Sequence, residues 1–134
     1  MGARHKARKR ALDILFEADQ RGQSIDAVLT ERAARGEGIG NPYTQTLVSG
    51  VVKHRTEIDE LIQAHSIDWT LDRMPAVDRS LLRLATFELQ WGVDIAPAIA
   101  IDEAVELAKE LSTDDSPAFV NGVLGRIAAP HTTN

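Results

Sequence analysis

The sequence predicts an all-α protein. No segment of its 134 residues shows a sustained two-residue alternation of β-branched side chains, whereas apolar residues recur at helical spacing along most of the chain. Prolines and glycines fall between these apolar stretches, where helices begin and end. Six or seven amphipathic helices joined by short connections pack most simply as two small bundles that share one core.

The first two helices are predicted in the N-terminal quarter of the chain. Residues 1–10 are rich in Arg and Lys and lead directly into an apolar helical pattern, so we expect this basic arm and the first helix to be continuous. Gly22 ends the first helix, and Ser24 caps a short second helix that ends near Gly36. The glycine-rich residues 36–40 are predicted to form a loop.

The remaining helices follow from proline and glycine positions. Asn41 and Pro42 are predicted to be the N-cap and first position of one long helix or two abutting helices. Pro75 begins a central helix that Gly92 ends, and apolar residues surround most of its circumference, as expected of an element packed on several sides. Two further helices are expected to begin at Pro97 and at Ser116, the last of them ending near Pro130.

Composition excludes several classes of function. With 43% hydrophobic and 26% charged residues the chain resembles a folded domain, and its length predicts a single domain over residues 1–134. No stretch suits a membrane span or a signal peptide, so we expect a cytoplasmic location without membrane contact. No cysteine is present and the four histidines are scattered, so no metal or cofactor is expected. The sequence shows neither a nucleophile with a nearby base nor a phosphate-binding loop, so we do not expect an enzyme.

The charge of the chain is unevenly distributed. Residues 1–10 hold five of the fifteen Lys and Arg residues and no acid, so the remaining chain carries ten basic and twenty acidic residues. A segment of charge +5 on a remainder of charge −10 favours a phosphate-rich partner such as a nucleic acid. A solvated terminus or a targeting signal is the alternative interpretation.

Several other residues have both structural and functional interpretations. Arg79 and Arg83 lie four positions apart with Glu88 further along the central helix, which favours salt bridges at the edge of the core. The two tryptophans are expected to pack in the core. Phe119 follows the polar residues 112–116 in the first turn of the last helix, where it either packs in the core or stacks on a base beside the free N–H groups of the helix start.

Four segments resemble the NusB family of transcription antitermination factors. Residues 4–16 are similar to the arginine-rich opening helix of the family, and residues 81–89 (LLRLATFEL) to a second signature. Residues 103–109 (EAVELAK) and 115–124 (DSPAFVNGVL) complete the pattern in the family's order. The resemblance covers nearly the whole chain and implies an all-helical fold of two three-helix subdomains.

The resemblance also implies a function. Family members bind the boxA element of ribosomal RNA operon leader transcripts together with the small-subunit ribosomal protein NusE, in a complex that helps RNA polymerase read through terminators. The residues that match the RNA-binding positions are Arg4, His5, Lys6, Arg8, Lys9 and Arg10 in the basic arm, and Asp115, Ser116, Phe119 and Asn121 near the last helix. The surface around Arg79, Arg83 and Glu88 is expected to adjoin the protein partner.

If boxA is bound as a single strand, the matching residues are expected to make different kinds of contact with the RNA. Phe119 stacks on a base, Ser116 and Asn121 bond to base edges, and the basic arm neutralises phosphates. One alternative is a detached RNA-binding domain related to the N-terminal part of rRNA cytosine methyltransferases, and another is a purely structural or protein-interaction bundle. An exposed helix face also allows a homodimer.

Overall fold

The computed structural model describes residues 2–67 and 69–129, and the all-α prediction is confirmed because these residues contain seven α-helices and no strand. The helix predicted after Pro42 is two helices that meet at His54. The helices are α1 (Ala3–Arg21), α2 (Ile25–Ala34), α3 (Pro42–Lys53), α4 (Arg55–His65), α5 (Ala76–Trp91), α6 (Pro97–Leu111) and α7 (Ser116–Ala128), with a short 3-10 helix at Leu71–Arg73.

The predicted capping residues hold the helix ends. The Ser24 hydroxyl oxygen accepts a hydrogen bond from the Ala27 N–H at 3.1 Å, and the Asn41 side-chain oxygen accepts one from the Tyr43 N–H at 2.8 Å. Gly22 follows α1 with a φ of 62°, a left-handed conformation that glycine adopts without strain. Local sequence therefore sets the start of α2, the start of α3 and the end of α1.

Helix α5 lies at the centre of the fold. Ten of its sixteen residues are buried, and it packs against α1, α3, α4, α6 and α7. Helices α1, α2 and α3 form one group and α4 to α7 form the other, and a single cluster of buried apolar side chains runs through both. Helices α3 and α5 approach so closely at Gly50 that an added Cβ would lie 2.2 Å from the Phe87 ring.

The charged residues of α5 lie inside the protein. The Arg79 guanidinium lies 2.6 Å from the Asp19 carboxylate, and Arg83 lies 2.8 Å from Asp59, so the salt-bridge interpretation is confirmed. The arginines find their carboxylates on α1 and α4 rather than at Glu88. The Arg83 side chain is 9% exposed and that of Glu88 is 1% exposed. Arg83 and Glu88 therefore offer little exposed surface to the protein partner that the sequence predicts there.

None of the described helices is long and apolar enough to cross a membrane. No group of three or more histidine, aspartate and glutamate side chains among the described residues is arranged to hold a metal ion. His131, one of the four scattered histidines, lies outside the described residues.

Candidate nucleic-acid interface

The basic arm forms the first turns of α1, so the predicted continuity with the first helix is confirmed. A helix sends neighbouring side chains in different directions, and the six basic residues are divided between two grooves. One groove is lined by Lys6, Lys9 and Arg10, and the other by Arg4, His5 and Arg8. The basic segment is therefore not one continuous charged surface.

Arg8 is buried, although the sequence predicts it as an RNA contact. The residue is 4% exposed, and its Nε donates to both Glu88 carboxylate oxygens at 3.0 Å. The Tyr43 hydroxyl donates to the same carboxylate, and burial together with Glu88 raises the pKa of Tyr43 above its ordinary value. Burial opposes the charge of Arg8, but Glu88 outweighs it and raises the pKa of Arg8. In this arrangement the Arg8 guanidinium forms an internal ion pair with Glu88.

The half-buried His5 and the exposed Lys9 of α1 also have acidic partners. The His5 ring nitrogen Nδ1 lies 2.8 Å from the Glu103 carboxylate, and the Lys9 ammonium donates to Glu110. The hydrogen bond from Lys9 lowers the pKa of Glu110 below its usual range. Both acids belong to α6, so the polar face of that helix is more than a solvated surface.

The other three basic residues make no ion pair among the described residues. Arg4 lies over the Tyr43 ring, with its guanidinium carbon 4.5 Å from the ring centroid, in a cation–π contact. Lys6 and Arg10 are exposed. These three side chains are the part of the arm that can meet a phosphate without first leaving a carboxylate.

The loop before α7 is anchored on a buried carboxylate. Asp78 has no exposed surface, and it accepts hydrogen bonds from the Ser112 hydroxyl at 2.5 Å and the Ser116 hydroxyl at 2.9 Å. It is the third residue of α5, where the helix dipole favours negative charge. Ser116, predicted to bond RNA bases, is 1% exposed, and its hydroxyl serves this internal network. Asp78 thus joins the start of α5, the end of α6 and the start of α7.

An aromatic pair lies beside this anchored loop. The rings of Trp69 and Phe119 meet edge to face with centroids 5.1 Å apart. Trp69 is 40% exposed, so its predicted core position is wrong, and Phe119 is partly buried against the core. Trp91 packs against the core as expected and stacks on His54. A cavity of about 220 Å³ is lined by Trp69, Asp78, Thr113, Asp115, Ser116 and Phe119.

Sequence reasoning missed Trp69 as a functional candidate because it lies in the connection between α4 and α5, outside every helical pattern. The available signal was an aromatic residue in a connection with no helical face to bury it. Asp115 and Asn121, two of the predicted RNA-binding residues, are both exposed. Asp115 lines the cavity with Phe119, whereas Asn121 is two helical positions beyond Phe119 and projects from a nearly opposite side of α7.

A larger groove with an apolar floor runs beside α1. Its volume is about 680 Å³. Its apolar floor is formed by side chains of α1, α5 and α6, namely Leu12, Phe16, Val77 and Leu111. Leu111 is 41% exposed, which is high for a large aliphatic side chain at the end of a helix packed in the core. Lys6, Lys9, Arg10 and Asp13 form the remainder of the lining.

Comparison with known proteins gives a consistent result. Residues 5–129 match the sequence model of the NusB family. A transcription antitermination protein NusB from Saccharopolyspora erythraea is 60% identical over 130 residues, which cover 96% of this chain and 88% of that protein. The structure of T. maritima NusB matches with a TM-score of 0.81 at 33% identity, covering 96% of this chain and 92% of that one. A crystal structure of antitermination factors NusB and NusE in complex with double-stranded RNA matches with a TM-score of 0.80 at 30% identity, covering 95% and 98%.

Fold and comparisons together define an all-helical transcription antitermination factor, a regulatory protein rather than an enzyme. The chain belongs to the NusB family.

Proposed function

We propose that this protein binds the boxA element of ribosomal RNA operon leader transcripts together with the ribosomal protein NusE, and that the complex promotes read-through by RNA polymerase. The observation that carries the proposal is the Trp69–Phe119 pair, in which Trp69 is exposed, beside a loop fixed by Asp78 on a chain whose first helix begins with basic residues. The solved relative that contains NusB, NusE and RNA supports the choice of partners.

The cavity at α7 suits a base rather than a phosphate. Trp69 and Phe119 present ring surface, and stacking on an aromatic side chain contributes about 1 to 3 kcal/mol per base. Asp78 and Asp115 line the same cavity, so a phosphate would meet like charge there. Base N–H groups, in contrast, find carboxylate acceptors. In this proposal Phe119 and Trp69 stack, and Asp115 accepts from a base edge.

The phosphates are assigned to α1 and its neighbours. Arg4, Lys6 and Arg10 meet them directly, because these side chains make no ion pair among the described residues. Arg8 holds α1 against α5 through Glu88 and so positions the arm. Ser116 likewise positions the α7 loop from inside, and Asn121 reaches RNA only if the strand wraps around α7.

The groove beside α1 is assigned to NusE. An apolar floor with a charged rim is the usual anatomy of a protein–protein interface, and Phe16 and Leu111 supply the floor. Lys6, Lys9 and Arg10 line the same groove, so a protein bound there lies next to RNA held by the basic arm. This adjacency gives a physical reason for the two partners to strengthen each other's binding, because each covers surface beside the other.

The test is fluorescence anisotropy of a labelled boxA-type single strand across a salt series, with and without NusE. A base-shuffled strand and the boxA strand annealed to its complement serve as controls. We expect preferential binding to single-stranded boxA that NusE strengthens and salt weakens. Equal affinity for the boxA and shuffled strands, without an effect of NusE, would contradict the proposal. Tighter binding to the annealed duplex would show that the aromatic pair does not stack on unpaired bases.

A further inference from the structure

The ion pairs between α1 and α6 differ from the pair between α1 and α5. The Arg8 and Glu88 side chains are 5% and 1% exposed, so their pair is enclosed. The Lys9 and Glu110 side chains are 48% and 43% exposed, and those of His5 and Glu103 are 27% and 23% exposed. An exposed pair between flexible side chains exchanges partners readily, because water solvates each group when the pair opens.

We propose that Glu110, with Glu103, competes with RNA phosphates for the basic side chains of α1 and thereby limits the RNA affinity of the free protein. The inference rests on the RNA-binding function proposed above. The Lys9 ammonium donates to Glu110, so it must leave this carboxylate before it can meet a phosphate. The His5 imidazole lies at hydrogen-bond distance from Glu103 and is a cation only when it is protonated. Carboxylates of α6 thus occupy basic side chains on one side of the arm when RNA is not bound.

Partner exchange has a consequence for salt dependence. A lysine that binds a phosphate of single-stranded RNA releases counterions, and each such contact steepens the plot of log affinity against log salt by about 0.7. When Lys9 leaves Glu110, the freed carboxylate attracts cations again and offsets part of that release. The wild-type protein should therefore show a shallower salt dependence than a variant without the Glu110 charge.

Glu110 is the better residue to test, because Glu103 also lies 3.5 Å from the buried Arg8. The variant Glu110→Gln removes the competing charge. Glu106→Gln is the matched control, since Glu106 lies one turn away on the same helix but pairs with Lys109 of that helix. Both variants are also made in a Lys9→Met background. Binding of boxA and shuffled single strands is measured by anisotropy at several salt concentrations, and circular dichroism melting checks the fold.

We expect Glu110→Gln to tighten binding of both RNAs about two- to fivefold, the range of an exposed ion pair, and to steepen the salt slope by no more than about 0.7. Glu106→Gln should change affinity less than twofold. In the Lys9→Met background the advantage of Glu110→Gln over Glu106→Gln should disappear. An equal gain from both variants, a gain that survives loss of Lys9, or weaker binding by Glu110→Gln would each overturn the inference.

Failure of this inference is distinguishable from failure of the proposed function. The competition concerns phosphates, so the contrast between Glu110→Gln and Glu106→Gln is readable on the shuffled strand even if boxA has no advantage. A boxA preference without that contrast would overturn the competition and leave the proposed function standing. An absence of binding to either RNA by every variant would overturn both.

Discussion

The basic half of α1 and the start of α7 form the two parts of the candidate RNA surface, and they are built differently. In α1 the functional groups are six basic side chains, and three of them are paired with carboxylates of α5 and α6. At α7 the functional groups are two aromatic rings beside a loop that a buried aspartate holds in place. The charge of the α1 part is partly neutralised by acidic residues of the protein itself. At α7 the two rings are held in position before any RNA binds.

Charge counted along a sequence therefore overstates the charge available to a ligand. A segment of charge +5 suggests strong attraction to phosphates, yet only Arg4, Lys6 and Arg10 make no ion pair among the described residues. The net charge at the start of α7 does not indicate a phosphate-rich partner, but the geometry of the aromatic pair there favours stacking on a base. Affinity through α1 should therefore be tunable, whereas recognition at α7 should depend on ring shape.

The largest expected effect concerns the enclosed ion pair. Replacing Glu88 with alanine removes the carboxylate that is hydrogen-bonded to the buried Arg8 guanidinium and leaves only Glu103 at 3.5 Å, so the free energy of unfolding should fall by about 3 to 5 kcal/mol. Urea denaturation measures this loss. Glu106→Ala, on an exposed face of α6, should stay within about 0.5 kcal/mol of wild type. A loss below about 1 kcal/mol for Glu88→Ala would mean that Arg8 is not held internally.

The aromatic pair gives the next effect. Trp69→Leu removes a ring that is 40% exposed, so RNA binding should weaken by about 1 to 3 kcal/mol while folding changes little. Trp69→Phe keeps a ring and should retain most of the affinity. Anisotropy with boxA-type RNA compares the two variants. If both bind with equal affinity, the ring at this position does not stack on a base.

A smaller effect separates free from paired charges within α1. Arg10→Ala removes a side chain that makes no ion pair among the described residues, so affinity should fall and the salt slope should become shallower by about 0.7. Lys9→Ala removes a side chain already held by Glu110 and should cost less affinity. The salt series for the two variants makes the comparison. Indistinguishable losses would show that the pair with Glu110 does not limit Lys9.

The smallest effect is a titration. The hydrogen bond from Lys9 holds the pKa of Glu110 below its ordinary value of 4.5 in the folded protein. A carboxyl whose pKa is lowered by folding contributes stability above its unfolded pKa, and this contribution is lost as the pH falls through the lowered pKa. Lys9→Met should return the pKa of Glu110 towards 4.5, as followed by carbon NMR of the carboxyl. An unchanged titration would mean that the pair is not populated in solution.

Local signals in the sequence were sufficient for most of the fold. Ser24, Asn41 and Pro97 set helix starts through rules that depend on a few neighbouring residues, and Gly92 ends α5 as predicted. The apolar circumference of α5 correctly indicated a helix packed on several sides. These features were predictable because helix capping and hydrophobic periodicity are encoded over short distances.

The candidate site was less predictable, because its contacts join residues far apart in the chain. Arg8 and Glu88 are eighty positions apart, and no local pattern shows that the arginine turns inward to meet the carboxylate. Asp78 and Ser116 meet only because α5 and α7 begin at the same place in the fold. Trp69 lies in the connection between α4 and α5, where no helical periodicity shows whether a side chain is buried or exposed.

If internal pairing reduces the charge that the basic arm offers to RNA, the affinity of the wild-type protein should depend only moderately on salt. The most direct measurement is the slope of log affinity against log salt for the wild-type protein with a boxA-type single strand. Arg4, Lys6 and Arg10, which make no ion pair among the described residues, contribute about 0.7 each and predict a slope of about −2. A slope of about −3.5 or steeper would mean that all five Lys and Arg residues of the arm meet phosphates, and it would contradict the account.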